Sequence, residues 1–349
     1  MPAGPRKRAT LATVAEAAGV SLPTVSKVLN GRADVAADTR AQVEAALRDL
    51  AYVPQNGRRT ITPSPLVDIV FDDLVSPYAL EVLRGVTDAT AEFGIDVVVG
   101  RMPAAESAGP LTAENHWAQR LKSNDRSGLI VVTSELSLRQ VESFENAGLP
   151  LVVIDPLNLP RAEVTSVGAT NWSGGITATE HLLRLGHRRI AFAGGPPGAS
   201  CSQARLHGYR AALENAGVAF DPELVRHGKF GHPDGLDIGD RLLALAAPPT
   251  AVFAASDATA LGVLEAARRR GLRVPQDLSV IGFDDTMLAR LATPPLTVIR
   301  QPLQDMGRVA VRTLLKLITG DTLDSHHVEL ATQLVVREST GPAPDEGAR

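Results

Sequence analysis

A small all-helical unit followed by a larger α/β body in two lobes is the fold class that this sequence predicts. Three observations predict it. Apolar residues recur at helical spacing up to about residue 52, and from Leu66 the pattern changes to short buried-type strands alternating with amphipathic helices. Between the two regions, residues 53–65 (VPQNGRRTITPSP) hold three prolines, a glycine and two arginines, which is the composition of a linker. Charge divides at the same place: residues 1–62 carry nine Lys/Arg against five Asp/Glu, whereas the rest of the 349-residue chain carries 26 against 34. A basic module on an acidic body points to a polyanionic ligand for the module alone.

In the helical unit, Thr10 caps a first helix whose Val14, Ala15 and Ala18 share one face, and Gly19 stands where a left-handed helix end is needed. Ser21 caps a second helix with Pro23 in its first turn, where a missing N–H costs nothing. Val25, Val28 and Leu29 form its stripe before Asn30-Gly31 stops it. A third helix buries Val43, Ala46, Leu47, Leu50 and Ala51. Two short helices joined by a tight glycine turn are helix-turn-helix geometry, whose second helix enters the DNA major groove.

In the body, strands are predicted at 66–71, 95–99, 129–133, 151–154, 190–193, 251–254 and 280–283. Helices are predicted at 78–93, 137–147, 174–185, 204–216, 258–270 and 303–318. Some 275 residues of this alternation exceed one sheet, so two parallel α/β lobes are expected. No run of about 18 apolar residues exists, which excludes a transmembrane helix. One cysteine, Cys201, excludes an intramolecular disulfide framework and a multi-cysteine zinc site and fits a reducing cytosol. Glu16 and Gly19 interrupt the stretch beyond the basic N-terminus, so a secretion signal is not expected and the location expected is cytoplasmic.

TLATVAEAAGVS (10–21) followed by TVSKVLNG (24–31) resembles the N-terminal signature of the lactose/galactose-repressor family. Further segments resemble the family in order and spacing: ThrArg at 39–40, TyrValPro at 52–54, HLLRLGHRRI at 181–190, SDATALG at 256–262, SVIGFDD at 279–285 and PPLT at 294–297. The resemblance runs from about residue 9 to 340. It implies a transcriptional repressor, a dimer or larger, that binds a near-palindromic operator in double-stranded DNA. The core would resemble periplasmic sugar-binding proteins, with a small-molecule effector between its lobes, outside the strand carboxyl ends. The implied division is a headpiece at 1–52, a hinge at 53–65, a first lobe of 66–169 with 300–320, and a second of 170–299 with 321–340. The chain would cross between lobes near Ala169, Arg300 and Gly320, and 341–349 would form a disordered tail.

By the same resemblance Leu22, Pro23 and Lys27 face base edges, Lys27 as a donor to guanine and Leu22 by contact alone. Thr24 and Ser26 suit bases or phosphates, and Thr10, Ser21 and Asn30 match backbone-contact positions, although Thr10 and Ser21 are equally well explained as helix caps. Many members insert a leucine from a hinge helix into the minor groove. Here Gly57 weakens such a helix, Ile61 is the nearest wedge, and Arg58 and Arg59 are expected to act mainly on phosphates.

On the effector side the matching positions are Asp155, Arg205, Phe230 and Asp257, with Tyr78, Ser76 and Ser134 at strand tips and Asn171 and Trp172 beside a crossing. Carboxylates, a guanidinium and an aromatic face suit a mono- or oligosaccharide; a nucleobase is the second choice. For Asp155 and Asp257 the alternative is a structural role at a strand-to-helix junction, and for Arg205 an interlobe ion pair. No cofactor and no metal site are expected. An α/β carbohydrate-processing enzyme with a basic extension is a different class, in which Asp155 and Asp257 would act as acid and base. The sequence lacks the Walker, G-x-G-x-x-G, G-x-S-x-G and HExxH patterns, so the reading is a regulator and not an enzyme.

Overall fold

The computed structural model describes residues 10–29, 32, 35–50, 52, 65–72, 74–102, 113–158 and 160–344. The chain divides into two units, Met1–Pro63 and Ser64–Arg349. In the first, α1 (Leu11–Ala17), α2 (Leu22–Leu29) and α3 (Ala37–Asp49) enclose Val14, Ala15, Val25, Val28, Val43 and Ala46. These are the positions that the helical spacing marks. Gly19, at φ 64°, makes the turn between α1 and α2, a backbone region that a side chain would strain. The linker residues Gly57, Arg58, Arg59 and Ile61, and Asn30 at the end of α2, lie outside the described residues.

The second unit begins with β1 (Leu66–Phe71), α4 (Pro77–Glu92), β2 (Asp96–Arg101), α5 (Ala113–Ser123), β3 (Arg126–Val132), α6 (Leu138–Ala147), β4 (Leu151–Ile154) and β5 (Ser166–Ala169). It continues through α7 (Asn171–Arg184), β6 (Ile190–Gly194), α8 (Ser200–Asn215), β7 (Val225–His227), α9 (His232–Leu243), β8 (Ala251–Ala254) and α10 (Asp257–Arg269). It ends with β9 (Ser279–Asp284), α11 (Met287–Leu291), β10 (Thr297–Arg300), α12 (Leu303–Thr319), β11 (His327–Leu330) and β12 (Gln333–Val335). Two six-stranded sheets result, in the orders β11-β5-β4-β3-β1-β2 and β12-β10-β9-β8-β6-β7. Pairing is parallel except where β12 meets β10. Val/Ile-rich runs such as residues 129–132 and 280–283 are buried because helices cover the sheets, and that is why they read as continuous rather than alternating.

The two sheets share an internal order. Reading from the far edge, β2-β1-β3-β4-β5 in one lobe corresponds to β7-β6-β8-β9-β10 in the other. In each the chain reverses direction across the sheet after its first strand, which opens a crevice at the carboxyl ends of β1 and β3 and of β6 and β8.

The chain passes between lobes after β5, after β10 and between β11 and β12. The third crossing therefore lies at residues 331–332 and not near Gly320, and residues 321–330 belong with the first lobe, because β11 pairs with β5. Gly320, at φ 78°, is the C-cap of α12, a helix stop rather than a lobe boundary. Residues 341–344, placed by the sequence reading in a disordered tail, are bonded to the second lobe. Gly341 donates its N–H to Ser279 Oγ at 3.0 Å, and Ala343 donates to Leu185 O at 2.8 Å.

Helices α7 and α8 meet with almost no space between them. A Cβ on Gly175 would lie 2.3 Å from Arg205 O, and one on Gly208 would lie 2.2 Å from Trp172 O. Since backbone cannot yield as a side-chain tip can, Gly175→Ala is expected to destabilise the protein by about 1–3 kcal/mol. A urea midpoint lowered at unchanged slope would show it; an unchanged midpoint would mean that the helices separate without cost.

Candidate functional site

In the helical unit, Thr10 forms a capping box with Thr13: Thr13 N–H donates to Thr10 Oγ1 at 3.3 Å, and Thr10 N–H donates to Thr13 Oγ1 at 2.8 Å. Ser21 Oγ lies 2.8 Å from Thr24 Oγ1 and 3.4 Å from Thr24 N at the entrance to α2. Both hydroxyls thus fix helix starts. Along α2, Val25 and Val28 turn inward while Leu22, Pro23 and Lys27 are exposed and Thr24 and Ser26 are half-buried between them. Leu22 keeps 47% of its surface accessible, a large apolar side chain held on an outer helix face. A solvent-facing Leu-Pro-Lys surface beside hydroxyls can reach into a groove and read it by contact as well as by hydrogen bonding.

In the second unit, a connected set of side chains spans the two lobes. Asp155 follows β4 with φ 48°, a backbone region that an aspartate tolerates better than most residues. Its Oδ2 accepts from Tyr78 Oη at 3.2 Å, and its Oδ1 accepts from Asn171 Nδ2 at 3.2 Å. Asn171 opens α7 just past the first crossing, and its Oδ1 accepts from Arg205 Nε at 2.8 Å. Arg205 Nη1 donates to Ala255 O at 2.6 Å, and Nη2 stands 3.8 Å from Asp155 Oδ2. The guanidinium carbon lies 3.8 Å from the Phe283 ring centroid and 5.8 Å from that of Phe230. Stacking of a desolvated guanidinium on an aromatic face contributes about 2 kcal/mol. The Phe230 ring in turn lies on Gly195, where a Cβ would meet it at 2.2 Å.

Most of these residues stand where the two sheet topologies place a crevice: Tyr78 follows β1, Gly195 follows β6 and Ala255 follows β8, while Asp155 follows β4, the neighbour of β3. Thr133, Asp155, Asp284 and Asp285 all have positive φ at strand carboxyl ends, at 45°, 48°, 111° and 63°. Strained backbone of this kind costs on the order of 1–3 kcal/mol per residue and clusters at functional sites.

Asp284 is the residue that sequence reasoning missed. It ends β9, is buried, and its Oδ1 accepts from Gln301 Nε2 at 2.7 Å. Burial pushes its pKa up to about 7; Arg205 and Gln301 pull it down, and Asp155 pushes it further up. The Asp-Asp doublet after an apolar strand is the signal that could have marked it. Burial, helped by Asp155, also raises the Tyr78 hydroxyl well above its usual range, so Tyr78 remains a donor.

Asp257 is placed differently from its neighbours. Its Oδ2 accepts from Thr286 N–H at 2.7 Å and Thr286 Oγ1 at 2.8 Å, which holds the turn into α11. Ser256, not Asp257, caps α10, accepting from Thr259 N–H at 3.1 Å. Ser134 Oγ donates to Val132 O at 2.9 Å, whereas Ser76 and Trp172 are exposed. Cys201 lies in the first turn of α8 rather than in a loop, and burial followed by the charge of Asp155 pushes its thiol up to about 12, which leaves it unreactive. Among the described residues there is no cluster of His, Cys, Asp and Glu that could hold a metal ion, and no helix long and apolar enough to cross a membrane.

Comparison with known proteins agrees with both halves. Residues 10–55 match the profile of bacterial regulatory proteins of the lacI family, and residues 179–340 match that of a periplasmic binding protein-like domain. The chain is 36% identical over 345 residues to the HTH-type transcriptional regulator CelR of Thermobifida fusca, covering 96% of this chain and 99% of that protein. It is 33% identical to the transcriptional repressor CytR of Escherichia coli K12, covering 96% and 97%. Among solved structures, a CelR–cellobiose complex aligns with TM-score 0.71 at 34% identity, covering 95% of this chain and all of that one. The Lac repressor dimer bound to operator and an anti-inducer aligns with TM-score 0.77 at 30% identity, covering 96% and 100%. With a helix-turn-helix unit, a two-lobed core and relatives of this identity along nearly its whole length, the chain belongs to the LacI family of bacterial transcriptional regulators.

Proposed function

We propose that the protein is a cytoplasmic, dimeric transcriptional repressor that binds a near-palindromic operator through α2 and is regulated by a saccharide held between its lobes. The observation that carries the reading is the chain of hydrogen bonds from Tyr78 through Asp155 and Asn171 to Arg205, which joins residues of both lobes at their strand carboxyl ends. A polyhydroxyl ligand entering there meets the Asp155 carboxyl, Nη2 of Arg205 and an aromatic face at Phe230. Asp257 holds the turn into α11 with Oδ2 and offers the ligand its buried Oδ1, which has no hydrogen-bond partner. Relatives with this architecture take such ligands: one was solved with cellobiose, and another, from Enterococcus faecium, with ribose. The transcriptional repressor PurR of Haemophilus influenzae is also among the relatives, and a nucleobase is the second choice. A thermal-shift screen of the full chain against saccharides and nucleobases tests the effector class, since a ligand that binds the folded state alone raises the melting temperature.

On the DNA side, Lys27 is exposed in α2 and aligned with Pro23 one turn earlier. Lys27→Ala is expected to weaken operator binding by about 1–3 kcal/mol and to relax one base position. Selection of sites from a random duplex pool by both proteins reads this directly. Uniform weakening across all sequences would instead assign Lys27 to a phosphate. Duplex binding should weaken steeply with added salt; a full-length protein that shows no salt-dependent binding would remove the repressor reading.

A further inference from the structure

We infer that the loop after β4 latches the two lobes together, with Leu157 O of the first lobe held by Ser200 at the start of α8 in the second, and that this latch sets how tightly the cleft holds a ligand. Its effect on binding rests on the interlobe site proposed above; the latch itself does not. Ser200 N–H donates to Leu157 O at 2.9 Å, and Ser200 Oγ donates to the same oxygen at 3.1 Å. Ser200 is the first residue of α8, and no side chain caps that helix start. Its N–H is one of the four that a helix start leaves without a partner inside the helix, and here the partner comes from the opposite lobe. Both donors are spent on this bridge, which lies outside the side-chain network of Tyr78, Asp155, Asn171 and Arg205.

Each side of the bridge is fixed within its own lobe. Asn158, next to Leu157, grips Leu136 with both ends of its amide: Oδ1 accepts from Leu136 N–H at 2.9 Å, and Nδ2 donates to Leu136 O at 2.8 Å. Further along the loop, Arg161 reaches Glu142 at 2.7 Å and Glu145 at 3.2 Å on α6. On the other lobe, Ala199 N–H donates to Pro196 O at 3.0 Å and Gln203 Nε2 donates to Pro197 O, which holds the turn that enters α8. Two anchored arms meeting at one oxygen keep the ordering cost of the bond small. Ser200 is exposed, so water competes for both donors and the bond can break and re-form. A hydrogen bond of this kind shifts the equilibrium between closed and open lobes by about two- to tenfold. It is made by protein groups alone. Closure is thus favoured before a ligand arrives, and a ligand that needs closed lobes binds more tightly in proportion to the closed fraction.

The test breaks the bridge from each side in the full-length protein. Ser200→Pro removes both donors and leaves the helix intact: a first helical position does not use its N–H within the helix, and Ala199, at φ −73° and ψ 121°, already has the extended backbone that a residue before proline requires. Asn158→Ala frees the arm on the opposite lobe. Residue-resolved hydrogen exchange with no saccharide added is expected to show the Ser200 amide of wild type about tenfold or more slower than an unstructured amide. Asn158→Ala should speed that amide several-fold across the cleft, with melting curves confirming the fold of each variant. A Ser200 amide that exchanges freely in wild type, or one that ignores Asn158→Ala, overturns the latch. Calorimetry with cellobiose, ribose and adenosine then reads its effect on binding. Ser200→Pro is expected to hold whichever probe wild type binds about two- to tenfold more weakly, with Ser200→Ala, which keeps the N–H, in between. Equal affinity in wild type and Ser200→Pro overturns the link from latch to ligand. Binding of none of the probes by wild type would count against the interlobe-site reading, while exchange at Ser200 still decides the latch.

Discussion

Arg205→Ala is expected to lower the stability of the protein by about 3–5 kcal/mol, the cost of removing one member of a buried charged set and leaving the others unpaired. Arg205 is 2% exposed and connects Asn171, Ala255 O, Asp155 and the Phe283 ring, so its loss acts on four elements at once. Lysine should not rescue it. An ammonium cannot present Nε and Nη donors in a fixed fork, nor stack flat on Phe283. Chemical denaturation of both variants measures the effect, and an Arg205→Lys protein as stable as wild type would show that charge alone matters here.

The second large effect is on pH. Asp284 has its folded pKa raised from 3.8 to about 7, first by burial, and that of Asp257 is also raised well above its ordinary value, by burial and by the charge of Asp284. Below pH 4 these groups are protonated in both folded and unfolded chains and contribute no difference. As pH rises from about 4 to 7, the unfolded chain loses these protons while the folded chain keeps them, so stability falls across that window. The fall is on the order of a few kcal/mol, because each tenfold difference in acidity between the folded and unfolded chains is worth about 1.4 kcal/mol. Asp284→Asn should flatten the slope and raise stability at pH 7 and above. Melting temperatures taken from pH 4 to 8 on both proteins decide it. A wild-type curve that rises steadily over that range would contradict the account.

Much of this was legible in the residues. The Val14–Val25–Val43 core of the helical unit follows from helical spacing, and β1, β4 and β8 coincide with the predicted apolar runs. Short strands carried too little pattern. Ser-Val-Gly-Ala of β5 and Gln-Leu-Val of β12 contain no alternation that a three- or four-residue window can hold, and their identity as strands comes from pairing with distant partners. Helix α9 was missed because its His-Pro-Asp-Gly opening reads as a turn. The third crossing was misplaced because Gly320 marks a helix end as clearly as it would mark a boundary.

The site shows the same division. Asp155, Arg205, Phe230 and Tyr78 were identifiable through the family resemblance, and the structure brings them together. Asp257 and Asp284 look alike in sequence, both acidic and both beside buried strands, and only the fold separates them. Thr286 takes up one oxygen of Asp257, while Asp284 lies with Gln301, Arg205 and Asp155.

The central claim is that a ligand bridging the Tyr78–Asp155–Asn171–Arg205 chain changes the affinity of the protein for DNA. The measurement is the dissociation constant of the full-length protein on a duplex selected from a random pool. It is taken with and without the saccharide that raises the melting temperature, for wild type and for Asp155→Ala. Coupling between two sites is commonly about 5- to 150-fold. Wild type should change its operator affinity within that range on adding the saccharide, and Asp155→Ala should bind the same duplex with no response to it. An operator affinity in wild type that ignores the saccharide, or an Asp155→Ala protein that responds as wild type does, would contradict the account.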